Sequence, residues 1–161
     1  MSEMHKILAN LAEKLARKHY KLAIITGNEV MTAISVENCV SIDLNIHLAQ
    51  ALLNMPVSKR PRKVVELLGD MLGEQASPYV GLHGLEVLFE PSLQVEVVGL
   101  LKQLSHDHVM VVAWPGDFMP AARGGKLSYS ELGHIEYKDY TITTEDDFEV
   151  ISYQNLIRDT E

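Results

Sequence analysis

The sequence predicts an α/β fold in three layers, with a mostly parallel sheet flanked by helices. Three observations predict it. Tyr79–Phe89, Y-V-G-L-H-G-L-E-V-L-F, and His108–Trp114, H-V-M-V-V-A-W, are short, apolar and rich in β-branched and aromatic residues, which is strand composition. Ser92–Ser105, between them, carries Leu93, Val97, Leu100, Leu101 and Leu104 on a helical stripe. Strand, crossover helix and strand make the unit of a parallel sheet. Both strands are apolar on both faces, so helices are expected on each side of the sheet, with these strands at its middle.

At 161 residues the chain reads as one domain spanning 1–161, large enough to bury a real core. An apolar content of 47% and a charged content of 22% are ordinary for a globular protein. The net charge of −8 argues against a general nucleic-acid surface, since phosphate binding needs clustered Lys and Arg. A lone cysteine, Cys39, excludes an internal disulfide and a cysteine metal site. No apolar run is long enough to span a membrane and no leader opens the chain, so the expectation is a cytoplasmic protein.

Residues 1–20 read as an amphipathic helix. Ser2 is its N-cap, and Ile7, Leu8, Leu11 and Leu15 fall on one stripe. Lys21–Thr26, K-L-A-I-I-T, is the first strand, broken by Gly27-Asn28. A phosphate-binding loop of the form G-x-x-x-x-G-K-[ST] belongs at such a place. The text here is I-T-G-N-E-V-M-T-A-I-S. The second glycine and the lysine are missing, and Glu29 sets negative charge where phosphate would sit. A structural turn is the first reading, and a remnant nucleotide contact through Thr26, Gly27 and Asn28 the second.

Cys39–Asn45 alternates apolar Val40, Ile42 and Leu44 with polar residues, as in a half-buried strand near a sheet edge. Asn45 is the expected N-cap of a helix over Ile46–Leu53. Pro61 opens a second helix over Arg62–Leu72, with Val64, Val65, Leu68 and Leu72 apolar. Lys59, Arg60, Arg62 and Lys63 surround that proline. They read as a solvated helix start, or as a contact for a phosphate or an acidic partner.

Gly81 and Gly84 break or bulge the strand Tyr79–Phe89. Glu86 and Glu90 are its acidic residues, and Glu90 lies at the carboxyl end, where open α/β sheets bind ligands. A helix N-cap is the other reading of Glu90. His106-Asp107-His108 reads as a helix-to-strand turn and not as a metal site, since no third ligand is apparent. Gly116–Lys126 reads as a flexible loop, with Met119-Pro120 as a partner contact. Tyr140–Thr143 is expected to be the last strand, at the sheet edge. Phe148–Tyr153 reads as a further short strand within an acidic tail, 145–161.

Six blocks of this text resemble the small P-loop-containing BrxF proteins of type 3 BREX phage-defence systems. They are S-I-D-L-N-I-H-L-A-Q-A-L-L, S-K-R-P-R-K-V-V-E-L-L, G-L-E-V-L-F-E-P-S-L, V-V-G-L-L-K-Q-L-S-H-D-H, V-V-A-W-P-G and G-K-L-S-Y-S-E-L-G-H-I-E-Y. The resemblance implies a P-loop NTPase-like fold. Family members have a full phosphate-binding loop after the first strand, and an acid where this chain has His83; Glu86 matches their second acid. It therefore implies a degenerate member, without ATP or magnesium as a cofactor and without catalytic residues. The expected function is an accessory or scaffold component of a BREX-like defence system, acting through protein–protein contacts, with homo-oligomers included. One alternative is a nucleotide-binding regulator or weak ATPase, using Thr26, Gly27 and Asn28 with Glu86 or Glu90. The other is a DNA-contacting adaptor using Lys59, Arg60, Arg62 and Lys63.

Overall fold

The computed structural model of the protein describes residues 10–27 (residue 12 aside), 39–74, 79–130, 137–143 and 148–152. Two sheets organise them. Five strands, β1 (Leu22–Thr26), β2 (Cys39–Asp43), β3 (Tyr79–His83), β4 (Val109–Ala113) and β8 (Glu149–Ser152), form one sheet in the order β2-β3-β4-β1-β8. Every pairing in it is parallel. Three strands, β5 (Asp117–Pro120), β6 (Gly125–Tyr129) and β7 (Lys138–Ile142), form a separate antiparallel sheet.

Side-chain alternation divides the large sheet into two faces. Ile42, Leu82, Val112, Ile24 and Val150 stand in register across all five strands. With Leu22, Val80 and Met110 they face the main core. That face is covered by α2 (Leu44–Leu53), α3 (Arg60–Gly73) and α4 (Val97–Leu104). Their buried stripes are Leu44, Leu48 and Leu52, then Val64, Leu68 and Leu72, then Val97, Val98, Leu100 and Leu101. The steps β2 to β3 and β3 to β4 run in the same direction, so right-handed crossovers place all three helices on one side.

Alternation turns Ala23, Ile25 and Val111 to the other face. They are buried outside the main cluster, as are Leu11 and Leu15 of the first helix, α1, described over 10–15. Glu149 pairs in register with Ala23 and so projects from this second face. There it meets Lys14 at 3.3 Å and Lys18 at 3.4 Å, which ties the α1 segment to the β8 edge. The helix stops sooner than expected, with turns over 16–20. The expected Ser2 cap, Ile7 and Leu8 lie outside the described residues.

Four expectations change. Tyr79–Phe89 is not one strand: β3 ends at His83, Gly84 adopts φ +67, and Leu85–Phe89 forms a 3₁₀ turn. The left-handed backbone at Gly84 stops the extended run. The crossover helix starts at Val97, capped by Glu96, after a separate 3₁₀ turn at Pro91–Leu93. The glycine-rich loop after Trp114 is largely the β5–β6 hairpin. The strand expected at Tyr140–Thr143 is β7, in the small sheet, so the edge of the large sheet beyond β1 is β8.

An aromatic seam joins the two sheets. Trp114, just past β4, donates its Nε1 hydrogen to the Ser128 carbonyl at 2.9 Å. Phe89 stacks on Tyr129 with ring centres 3.9 Å apart, and meets Trp114 edge-on at 5.4 Å. Trp114 meets Tyr140 edge-on at 5.9 Å. Leu127 and Ile142 of the small sheet complete the core beneath. A Cβ on Gly116 would overlap the Ser128 carbonyl oxygen, so glycine lets the hairpin close on this seam.

Leu82 is buried in the central row. Leu82→Ala is expected to lower unfolding free energy in urea by about 2–5 kcal/mol. Ile46→Ala, at an exposed position, is expected to stay within about 0.5 kcal/mol of the parent.

Candidate functional site

In an open parallel sheet, ligands bind beyond the carboxyl ends of the strands, where successive connections leave in opposite directions. Here the chain leaves β1 toward β2 and leaves β4 toward β8, on the other side. The switch point therefore lies at the ends of β1 and β4. Thr26 is buried there, and Gly27 is exposed at φ +73 with open space around its Cα. The Asn28 and Glu29 expectations fall outside the described residues. The β4 end carries Trp114, Pro115 and Gly116, with no charged side chain among them, and Trp114 is committed to the seam.

The polar groups gather instead at the ends of β2 and β3. Asp43 is the N-cap of α2, a role the sequence reading gave to Asn45. Its Oδ1 accepts the N–H groups of Asn45 at 3.0 Å and Ile46 at 3.4 Å, which satisfies first-turn donors of the helix. Asn45 joins the neighbouring turn. Its Nδ2 donates to Glu86 Oε2 at 2.6 Å, and its Oδ1 accepts the Val87 N–H at 3.0 Å. His47 Nδ1 reaches the Asp43 carbonyl at 2.9 Å. His83, paired in register with Asp43, holds its Nδ1 3.9 Å from Asp43 Oδ2. Gly84 completes the packing, since a Cβ there would overlap Asp43 Oδ1.

Sequence reasoning singled out His83 and Glu86, took Asn45 for the cap, and gave no role to Asp43, which holds the cap and meets Asn45, His47 and His83. The missed signal was Leu44, which starts the buried Leu44, Leu48, Leu52 stripe and so moves the cap back to Asp43. Glu86 does not join Thr26 and Gly27. It turns to Asn45, toward β2, and β4 stands between β3 and β1. Glu90 also has another partner: its carboxylate accepts the Ser92 N–H at 3.0 Å and the Ser92 hydroxyl hydrogen. That is the N-cap reading of Glu90. Ser92 Oγ in turn accepts from the Arg60 guanidinium at 3.2 Å.

Two other features border this edge. A cavity of about 410 Å³ opens between the 3₁₀ turns and β7, lined among others by Phe89, Glu90, Glu96, Lys138 and Tyr140. Glu96 caps α4 through the Gly99 N–H. Burial raises the Tyr140 phenol above its ordinary value, and the nearby Glu96 and Asp139 carboxylates add to this against the Val97 backbone. At the amino ends of β1 and β4, His106 meets His19 and Tyr20 through ring contacts at 5.8 and 5.5 Å. Among the described residues no group of three or more His, Cys, Asp or Glu is placed to hold a metal. No helix among them is long and apolar enough to cross a membrane.

The arrangement is suited to fastening turns to strand ends. Its two carboxylates at the β2–β3 end are both hydrogen-bonded through Asn45. No family model, curated protein or solved structure matches the chain.

Asp43→Ala is expected to lower the unfolding free energy by about 1 kcal/mol and Asp43→Asn by a few tenths, measured by urea titration. A second expectation concerns Tyr140. With its folded-state pKa raised, the unfolded chain loses the phenolic proton first, so stability falls as pH climbs past about 10. Tyr140→Phe is expected to flatten that alkaline fall, measured as urea midpoints at neutral and alkaline pH.

Proposed function

We propose that this chain is a non-enzymatic accessory or scaffold component of a BREX-like antiviral defence system. It works through protein–protein contacts on a P-loop-like α/β frame and does not hydrolyse ATP. One observation carries the reading. The polar side chains beyond the carboxyl ends of β2 and β3 are engaged with one another and with helix ends. Asp43 caps α2, Asn45 binds Glu86, and Glu90 caps the turn at Pro91. His83 ends β3, where the resembled family carries an acid, and an imidazole brings no negative charge to a magnesium ion. The β4 end is filled by Trp114 and its aromatic neighbours. The all-parallel five-stranded sheet and the six resembling blocks support the same frame.

A second reading rests on a different observation. Thr26 and Gly27 lie at the topological switch point, and Gly27 has a conformation and an exposure suited to close approach by a phosphate. On that reading the chain is a nucleotide-binding regulator, with no lysine to neutralise the triphosphate.

Calorimetry with ATP and magnesium separates the two. No heat at millimolar nucleotide is the expected outcome. Heat that is lost on Gly27→Val would favour the regulator. Co-expression with the methyltransferase, the alkaline-phosphatase-like protein and the large ATPase of a BREX-like cluster tests the partner arm. Stable co-purification with one of them is expected, and its failure with all three would overturn the scaffold role.

A further inference from the structure

The ends of α2 and α3 leave a surface that the fold itself does not use. The inner stripe of α2 is buried, but Ile46 is 71% exposed and Leu53 75%. They stand seven residues apart, two helical turns along the same outer face. Val57, on the 3₁₀ turn that follows, is 56% exposed. Three large apolar side chains within twelve residues thus face solvent, two of them on one helix face.

The chain leads from Leu53 and Val57 into a basic groove, which Met55 and Ser58 help to line. The groove has a volume of about 670 Å³ and is lined by Met55, Lys59, Pro61, Arg62, Lys63 and Gln94, with Ser58 and Glu66. Lys63 pairs with Glu66 at 3.2 Å. Arg60 turns inward to Ser92. Lys59 and Arg62 pair with no carboxylate among the described residues, and both are exposed. The start of α3 adds to the field: Lys59 gives it no side-chain cap, and its first turn holds no acidic residue, so no carboxylate there offsets the positive end of its dipole.

We propose that this surface is a docking site for an acidic peptide segment of a partner protein, one that carries large apolar side chains beside its carboxylates. The apolar anchors would cover Ile46, Leu53 and Val57, and the carboxylates would meet Lys59 and Arg62. Charge complementarity selects this occupant. In a chain of net charge −8, four basic residues fall within the five positions 59–63. A nucleic acid would leave the three apolar side chains without partners and would bring phosphate against Glu66. A two-fold contact with a second copy would set Lys59 and Arg62 against themselves, since such an interface is self-facing. The inference deepens the scaffold reading by naming the kind of partner. It is separable from it, because nucleotide binding at Gly27 would sink that reading and leave this surface untouched.

The test uses a short fluorescein-labelled helical peptide with leucines at i, i+3 and i+7 and glutamates between them, followed by anisotropy at low salt. Binding is expected to weaken about tenfold or more (~1.4 kcal/mol or more) in the double variant Lys59→Glu, Arg62→Glu, and again in Leu53→Asp. Arg123→Glu, on the exposed β5–β6 turn, is expected to bind like the parent. All variants lie at exposed positions, and urea midpoints check that they fold. A probe with lysines in place of the glutamates is expected to bind the double variant and not the parent. No binding at millimolar probe, or equal binding by parent and double variant, overturns the proposal. So does tighter binding of duplex DNA through the same residues, or a concentration-dependent dimer that Leu53→Asp abolishes.

Discussion

The row Ile42, Leu82, Val112, Ile24 and Val150, which crosses the large sheet from edge to edge, sets the register of every parallel pairing. A shift of one residue in any strand would turn its apolar side chains from the helix layer to the opposite face. With the row seated against α2, α3 and α4, the alternate positions are determined too. Asp43 and His83 meet at the ends of β2 and β3, and Glu149 reaches the lysines of the α1 segment. The polar contacts are thus consequences of the apolar alignment. They fasten turns to strand ends that burial has already placed.

This explains which parts of the fold were legible in the sequence. Parallel strands covered on both faces announce themselves as unbroken apolar runs, and β1 and β4 were read nearly to the residue. The helix α3 showed its stripe at helical spacing, although Val65, read with Val64, Leu68 and Leu72, is exposed; α2 was read as a helix without its stripe. Of the small sheet only β7 was read as a strand, and it was placed at the edge of the large sheet; β5 and β6 were not legible. Its strands are four or five residues long and place few side chains in the core. Its glycines read as loop because the pairing that organises them lies across the chain. Gly84 was noticed as a break, but only the structure shows that β3 ends there and that the following residues coil into a turn.

The candidate site was legible in parts and not as a unit. Asn45, His83, Glu86 and Glu90 each stood out as polar residues beside apolar runs. What composition did not convey was their direction. Asp43 looked like an outward residue of a half-buried strand, and only the start of the Leu44 stripe reveals it as a cap. Glu86 looked available to a ligand, yet it turns to the Asn45 amide, while Glu90 takes the N-cap role that the sequence offered for it. Local hydrogen bonds of this kind depend on where a turn folds back, which spacing alone does not encode. The basic segment at Pro61 was visible from the outset, and its division was not. Arg60 serves the fold, while Lys59 and Arg62 face the groove.

The seam around Trp114 has a practical consequence. The chain holds one tryptophan, and its indole is bonded to β6 and enclosed by rings from the turn after β3 and from β7. Its emission is therefore sensitive to the seating of the hairpin layer, whereas far-ultraviolet dichroism is dominated by the helices. If the hairpin layer detaches before the helical layer melts, the two signals will separate along a denaturation curve. The protein thus carries a built-in optical probe for its own order of disassembly.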